Sequence, residues 1–166
     1  RGVAAGAGVF VAVGNEGIIL RSQDGRLWEP MVSGVGTNLL SICHGAGRFV
    51  AVGLAGVVLV SDDGVQWTRR GDLPVGVSRV KYIDGRYWAL STRTVFTSAD
   101  TVDWTSTQFT GQAFVADIER FDGGWILLEN YGIRTSPDGA DWTPLMLVGI
   151  PAEASRLARH AHLLAA

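Results

Sequence analysis

Apolar residues recur along the chain in short runs of four to six, rich in β-branched and aromatic side chains and bounded by Gly, Asp or Asn. Runs of this length and composition predict β-strands. The run Phe10–Gly14 reappears as Phe49–Gly53 and, in more divergent form, at 87–91 and 125–129. The pattern therefore indicates one β-rich unit of about 38 residues that occurs four times.

Each unit also carries a polar motif, Ser-x-Asp-x-x-x-Trp. Its four copies consist of Ser22, Asp24 and Trp28; Ser61, Asp63 and Trp67; Ser98, Asp100 and Trp104; and Ser136, Asp138 and Trp142. The Asp carboxylate can close a turn by accepting backbone N–H groups, and a following Gly supplies a positive φ. The Trp offers an apolar face and keeps its indole N–H for a polar partner. The third copy has Thr101 in place of the Gly, which predicts a distorted or different turn there.

The connections are short enough to force antiparallel neighbours, so each unit is expected to be a four-stranded meander. In the second unit the predicted strands are Leu39–His44, Arg48–Gly53, Val57–Ser61 and Gln66–Arg69. One such sheet cannot bury both faces alone, but stacked sheets around an axis can. We therefore predict an all-β fold, a β-propeller built of four-stranded antiparallel blades. The predicted blades span approximately residues 1–33, 34–72, 73–109 and 110–148.

The Ser-x-Asp turn resembles the Asp box, also called the bacterial neuraminidase repeat, over roughly residues 3–145. In those families the motif lies on the hairpin between the third and fourth strands of a propeller blade. It occurs in sialidases, certain glycoside hydrolases, sortilin-type receptors, photosystem II assembly factors and phage proteins. The resemblance implies propeller blades and a structural role for the four aspartates, and it leaves the activity open because fold does not imply function.

A sialidase-like enzyme would need three converging arginines, a Tyr nucleophile with a Glu partner, and an acidic proton donor. Individual candidates are Arg21, Arg79, Arg93, Arg134, Glu119, Glu129 and Tyr131. No surrounding motif assigns a role to any of them, so we expect no catalytic residue. The predicted function is a non-catalytic binding or scaffold module. A structural component of a larger assembly, such as a phage tail or a cell-surface complex, is one form of this function. The alternative is a fragment of a sialidase-like or other glycan-cleaving propeller enzyme.

Binding residues are expected where the four copies differ, since loops on a rigid scaffold carry function. Glu129, Asn130 and Tyr131 form the most polar and aromatic departure from the repeat and are the candidate binding loop. No metal site or cofactor is expected. His160 and His162 would point about 200° apart on a helix, and Cys43 is expected to be a small buried hydrophobe.

Charge and hydropathy exclude some partners. The net charge is −2, and the basic residues are scattered, so nucleic acid is not an expected partner. No apolar stretch reaches the roughly 18 residues that a membrane-spanning helix needs. Protein or glycan partners remain, and an extracytoplasmic or virion-associated location is expected rather than a cytoplasmic one.

The pattern changes after about residue 148. Pro151 suits the first turn of a helix, and the Ala-, Leu- and Arg-rich sequence predicts a short C-terminal helical tail over 149–166. The number of blades leaves three arrangements open: a closed four-bladed ring, an arc completed by a second copy, or part of a longer propeller. The first unit begins inside its first predicted strand, which favours a piece of a longer propeller.

Overall fold

The computed structural model describes residues 1–111 and 114–145, which form four four-stranded antiparallel sheets. The first two sheets contain β1 (Gly2–Gly6), β2 (Val9–Val13), β3 (Ile19–Ser22), β4 (Glu29–Met31), β5 (Leu39–Gly45), β6 (Arg48–Gly53), β7 (Val57–Ser61) and β8 (Thr68–Asp72). The last two contain β9 (Arg79–Ile83), β10 (Arg86–Leu90), β11 (Thr94–Ser98), β12 (Thr105–Gln108), β13 (Val115–Phe121), β14 (Gly124–Glu129), β15 (Gly132–Ser136) and β16 (Thr143–Pro144). The prediction of an all-β chain with four-stranded antiparallel blades is confirmed.

Every sheet pairs its four strands in chain order, so its turns alternate between two ends. We call one end the turn rim; it carries the turns between first and second strands and the Ser-x-Asp turns between third and fourth strands. We call the other end the loop rim; it carries the turns between second and third strands and the connections between sheets. The turn rim comprises 7–8, 23–28, 46–47, 62–67, 84–85, 99–104, 122–123 and 137–142. The described loop rim comprises 14–18, 32–38, 54–56, 73–78, 91–93, 109–111, 114 and 130–131.

The sheets stack face to face through their first strands, with β1 against β5, β5 against β9 and β9 against β13. Three apolar clusters fill the spaces between successive sheets. The first joins sheets one and two around Val11 and Phe49, the second joins sheets two and three around Val50 and Tyr87, and the third joins the last two sheets. The two middle sheets are therefore covered on both faces, which accounts for their continuous apolar runs.

The fourth strand of the second sheet differs from its prediction. It begins at Thr68 and ends at Asp72, whereas Gln66–Arg69 was predicted. The reason is local: the Asp63 carboxylate binds the Gln66 N–H at 2.9 Å, which holds that residue in the turn instead of the ladder. The other three predicted strands match to within one residue.

The predicted helical tail at 149–166 lies outside the described residues. No helix in the part of the chain that the structure describes is long and apolar enough to span a membrane.

Candidate functional site

The Ser-x-Asp turn is closed by its own side chains, as the second copy illustrates. One oxygen of Asp63, Oδ1, accepts the Val65 N–H at 2.8 Å and the Gln66 N–H at 2.9 Å. Ser61 Oγ donates to the same oxygen at 3.0 Å and accepts the Gly64 N–H at 2.8 Å. These bonds satisfy the backbone donors that the tight turn leaves without strand partners.

The same bonds recur in the other three copies, with Asp24, Asp100 and Asp138 accepting two backbone N–H groups each. These backbone donors lower the pKa of all four aspartates, because they favour the charged carboxylate. Each motif Trp donates its indole N–H to the carbonyl three residues earlier, at 3.1 to 3.2 Å. The same hydrogen-bond network is present in all four sheets, which is typical of a scaffold element.

The third turn was predicted to be distorted, and this prediction is wrong. Thr101 adopts a φ of 72°, close to the 74° to 82° of the equivalent glycines, and keeps every hydrogen bond of the motif. The hydrogen bonds around Asp100 are strong enough to hold a β-branched residue in the left-handed region. The Thr101 side chain is fully buried, and its hydroxyl lacks a hydrogen-bond partner in the described structure.

The predicted binding loop at 129–131 lies on the loop rim, but two of its three side chains are already hydrogen-bonded within the chain. Glu129 is buried and accepts a hydrogen bond from Arg134 Nε at 2.8 Å. Asn130 Oδ1 accepts the Phe114 N–H at 2.7 Å, and the Asn130 N–H donates to the Phe114 carbonyl at 3.0 Å. Tyr131 is 71% exposed. The loop stays a prediction, with Tyr131 as the side chain that is free to contact a ligand.

The other enzyme-type candidates lie on separate elements, most with local partners. These partners are the Asp63 carbonyl for Arg21, Asp117 for Arg79, Glu129 for Arg134 and Lys81 for Glu119. Arg93 lies instead on the loop rim, with its guanidinium carbon 5.9 Å from the ring centre of Phe114.

A groove of about 520 Å³ opens on the loop rim across sheets two, three and four. The exposed part of its apolar lining comes from Leu54, Val75 and Phe114, all of which are more than 40% exposed. Arg93 and Gln108 add polar groups at the surface. Exposed apolar side chains that converge with a few polar groups in a concave surface are typical of a binding site.

Backbone hydrogen bonds hold the walls of the groove. The Val77 N–H donates to the Gly53 carbonyl at 3.0 Å, which fastens the connection after β8 to the turn after β6. The Phe109 N–H donates to the Arg93 carbonyl at 2.8 Å, and the Val115 N–H donates to the Thr92 carbonyl at 3.0 Å. Each turn is thus bonded to the neighbouring connections, so the groove is formed before any ligand arrives.

A second cleft, of about 380 Å³, lies on the turn rim between the last two sheets. Three of the four charged residues that line it are already engaged: Arg120 bonds to Asp84 and to the Gly124 carbonyl, and Asp138 holds its own turn. The lining of this cleft is more polar than that of the loop-rim groove, so it offers a ligand less apolar surface.

No cluster of three or more His, Cys, Asp or Glu side chains suited to a metal ion occurs within residues 1–111 and 114–145. Burial raises the pKa of the Cys43 thiol to about 12, so it stays protonated and is a poor nucleophile. His160 and His162 lie outside the described residues.

The groove could not be predicted from the sequence, although Arg93 was a candidate arginine of a sialidase-like site. Leu54, Val75, Arg93 and Phe114 come from three different repeats and share no motif. Their position in the sequence could have indicated them, because all four lie in segments where the repeats differ from one another.

Known proteins of similar structure are propellers. The chain superposes on YCF48 bound to D1 peptide with a TM-score of 0.68 at 19% identity, over 88% of this chain and 52% of that one. It superposes on the WD40 β-propeller domain of Doa1 with a TM-score of 0.69 at 16% identity, over 92% of this chain and 55% of that one. A GH74 enzyme from Niastella koreensis gives 0.57 at 20% identity, over 86% of this chain and 24% of that one.

The chain thus has a β-propeller fold and spans about half the length of the first two of these proteins. Identities this low show the fold alone. No protein-family model and no curated protein matches the chain.

Proposed function

We propose that the chain is a non-catalytic propeller module that binds a segment of another protein in the loop-rim groove. The observation that carries this proposal is the preformed groove itself, where exposed apolar side chains from three sheets lie beside Arg93. Arg93 has no carboxylate partner within the described residues. The groove is an open surface and not an enclosed cavity, which suits an extended chain.

The groove chemistry suggests the kind of segment. Leu54, Val75 and Phe114 can receive an apolar side chain and bury it from water. The guanidinium of Arg93 can pair with a carboxylate through two parallel hydrogen bonds. The expected ligand is therefore an extended peptide with an apolar residue next to an acidic side chain or a C-terminal carboxylate. The YCF48 propeller, solved with a D1 peptide, supports a peptide ligand for this architecture.

We also assign the four Ser-x-Asp turns to the Asp-box type. Their support is the shared pattern of bonds from Ser, Asp and Trp, which occupies the same hairpin in all four sheets. We infer that these turns make the turn rim rigid, so that the residues of the loop rim can vary between repeats.

Peptide binding is tested by selecting ligands from a displayed library of short random peptides and measuring the affinity of the best one by fluorescence anisotropy. Phe114→Ala is expected to weaken binding by about tenfold or more, as for an aromatic anchor in a pocket. Phe121→Ala is the matched control: Phe114 directly precedes β13 and Phe121 is its last residue, at the turn rim, and the two are nearly equally exposed, at 45% and 46%. Phe121→Ala is expected to leave affinity unchanged.

Arg93→Gln tests the carboxylate contact. It should weaken binding and reduce its salt dependence, since an exposed ion pair is screened by salt. Arg26→Gln, an exposed charge on the turn rim, is the control. Equal effects of the Phe114 and Phe121 variants would overturn the groove as the site. Hydrolysis of a sialoside or β-glucan by the purified chain would instead favour the glycan-cleaving alternative. The structural similarity of the chain to the GH74 enzyme supports that alternative.

A further inference from the structure

The first sheet exposes an apolar surface at repeat positions that the second sheet buries. The second residue of each second strand shows this clearly: Phe49, Tyr87 and Trp125 are 0%, 1% and 5% exposed. Phe10, at the same repeat position, is 39% exposed. In the later sheets this residue packs against the sheet before it in the chain.

Two further positions on the same face repeat the contrast. Val57 is 1% exposed, whereas its counterpart Ile18 is 53% exposed. Ile42 is 6% exposed, whereas its counterpart Val3 is 64% exposed. We call this surface of the first sheet, formed by Val3, Phe10 and Ile18, the first end face.

The Ser-x-Asp turns give an independent sign of the same contact. A Cβ placed on Gly64 would lie 2.8 Å from Val11 Cγ2 of the preceding sheet, and one on Gly139 would lie 2.5 Å from Trp88 Cη2. Gly25 is exposed. The motif tryptophans show the same difference between the first sheet and the others. Those of the last three turns pack on the inter-sheet clusters, whereas Trp28 belongs to none of these clusters of described residues.

The fourth sheet carries the complementary surface. Val50 and Val52 lie on the face of the second sheet that receives the third sheet, and both are 0% exposed. Their counterparts in the fourth sheet are Ile126, which is half-buried, and Leu128, which is 48% exposed. We call the surface around these two residues the last end face.

We propose that the last end face of one copy of this chain docks on the first end face of a second copy, in the same manner as successive sheets dock within the chain. Trp88 and Trp125 show the contact that would be repeated, with ring centres 4.2 Å apart. By repeat position, Ile126 of one copy then meets Phe10 of the other.

The second copy is the occupant that the molecule itself provides. Each copy carries both complementary surfaces, and docking two copies head to tail uses both surfaces of both copies. This closes a ring of eight sheets and leaves no end face in water. The chain spans about half of the first propellers it resembles, so two copies supply about one ring of sheets. The two end faces lie on the first and last sheets, and neither includes a residue that lines the loop-rim groove.

Sedimentation velocity over a concentration series tests the proposal. The unaltered chain is expected to form a dimer, and Phe10→Glu and Leu128→Glu are each expected to raise the dimer dissociation constant by about tenfold or more. Val102→Glu is the matched control, because Val102 is 53% exposed but lies on the turn rim of the third sheet, away from both end faces. It should leave the dimer intact.

Mixing the two variants distinguishes head-to-tail docking from other dimers. A Leu128→Glu copy keeps an intact first end face and a Phe10→Glu copy keeps an intact last end face, so the mixture should recover one interface and associate. A monomeric unaltered chain, or a dimer that only one of the two substitutions weakens, would overturn the proposal. Far-UV circular dichroism checks folding, and Ile18→Glu replaces Phe10→Glu if that variant does not fold.

Discussion

At the scale of single residues, the Ser-x-Asp turn acts through hydrogen bonds that span only a few positions. The serine hydroxyl and one aspartate oxygen together take up the backbone donors of the turn, and the indole N–H closes it from the other side. The turn tolerates Thr101 at a φ of 72° because these bonds outweigh the strain of that one residue. Strain of this kind costs roughly 1–3 kcal/mol.

Thr101→Gly is expected to stabilise the chain by about 1 kcal/mol. It removes the left-handed strain and the unpaired hydroxyl, and part of that gain is offset by lost packing and by the greater freedom of Gly in the unfolded chain. Urea unfolding followed by Trp fluorescence measures the change. The reverse substitution, Gly139→Thr, is the control and should destabilise strongly, since its Cβ would meet Trp88. A destabilising Thr101→Gly would contradict this account of the turn.

Acid should weaken the turns. The Gln66 and Val65 N–H groups lower the pKa of Asp63 in the folded chain relative to the unfolded one. Its contribution to stability is therefore complete above the unfolded pKa of about 4 and is lost as the pH falls through the lower folded value.

Asp63→Asn should thus lower the unfolding temperature at pH 6 and lose that deficit progressively as the pH falls below about 4. Thermal melts at several pH values, with the exposed Asp103→Asn as control, measure this. A deficit that stays constant with pH would show that the charge of Asp63 is not involved.

At the scale of elements, burial is greatest in the middle strands of a sheet and lower in its fourth, outer strand. In the second sheet all five residues of β7 are buried, whereas all five residues of β8 are exposed. Side chains also link neighbouring sheets through polar contacts: the Tyr87 hydroxyl of β10 donates to the Gly45 carbonyl of β5 at 2.6 Å. Burial raises the pKa of Tyr87 to about 12, so the hydroxyl keeps its proton at neutral pH.

Tyr87→Phe is expected to lower the free energy of unfolding by about 1–2 kcal/mol, because it leaves the buried Gly45 carbonyl without this donor. The ring contact with Tyr82 would remain. Urea unfolding measures the loss, and Tyr131→Phe on the exposed loop is the control, with no change expected. Equal stability of the two variants would mean that this bond between sheets contributes nothing.

At the scale of the whole molecule, the two rims differ in what they can do. The turn rim repeats one hydrogen-bonded element four times, whereas the loop rim is built from segments whose residues differ between repeats. Four stacked sheets joined by three apolar clusters also leave an apolar face at each end of the stack. The proposed peptide site and the proposed docking between copies therefore use different parts of the same scaffold.

Several features of the molecule could be predicted from the sequence. The repeat, the middle strands and the hydrogen bonds that close the Ser-x-Asp turns all depend on residues close together in the chain, and the observed bonds of the turns span two or three residues. The start of β8 was missed because the number of backbone donors that Asp63 accepts was not anticipated.

The loop-rim groove and the burial pattern could not be predicted in this way. Phe10 and Phe49 lie in identical five-residue runs, yet one is exposed and the other is buried, because only the second has a sheet stacked on it. Glu129 looked like a binding residue, but Arg134 folds back onto it. Local hydrogen bonding is set by neighbours in the chain, and the sequence alone determined it. Only the stacking of sheets decided which faces are covered and which loops meet in a groove, since those contacts join residues far apart in the sequence.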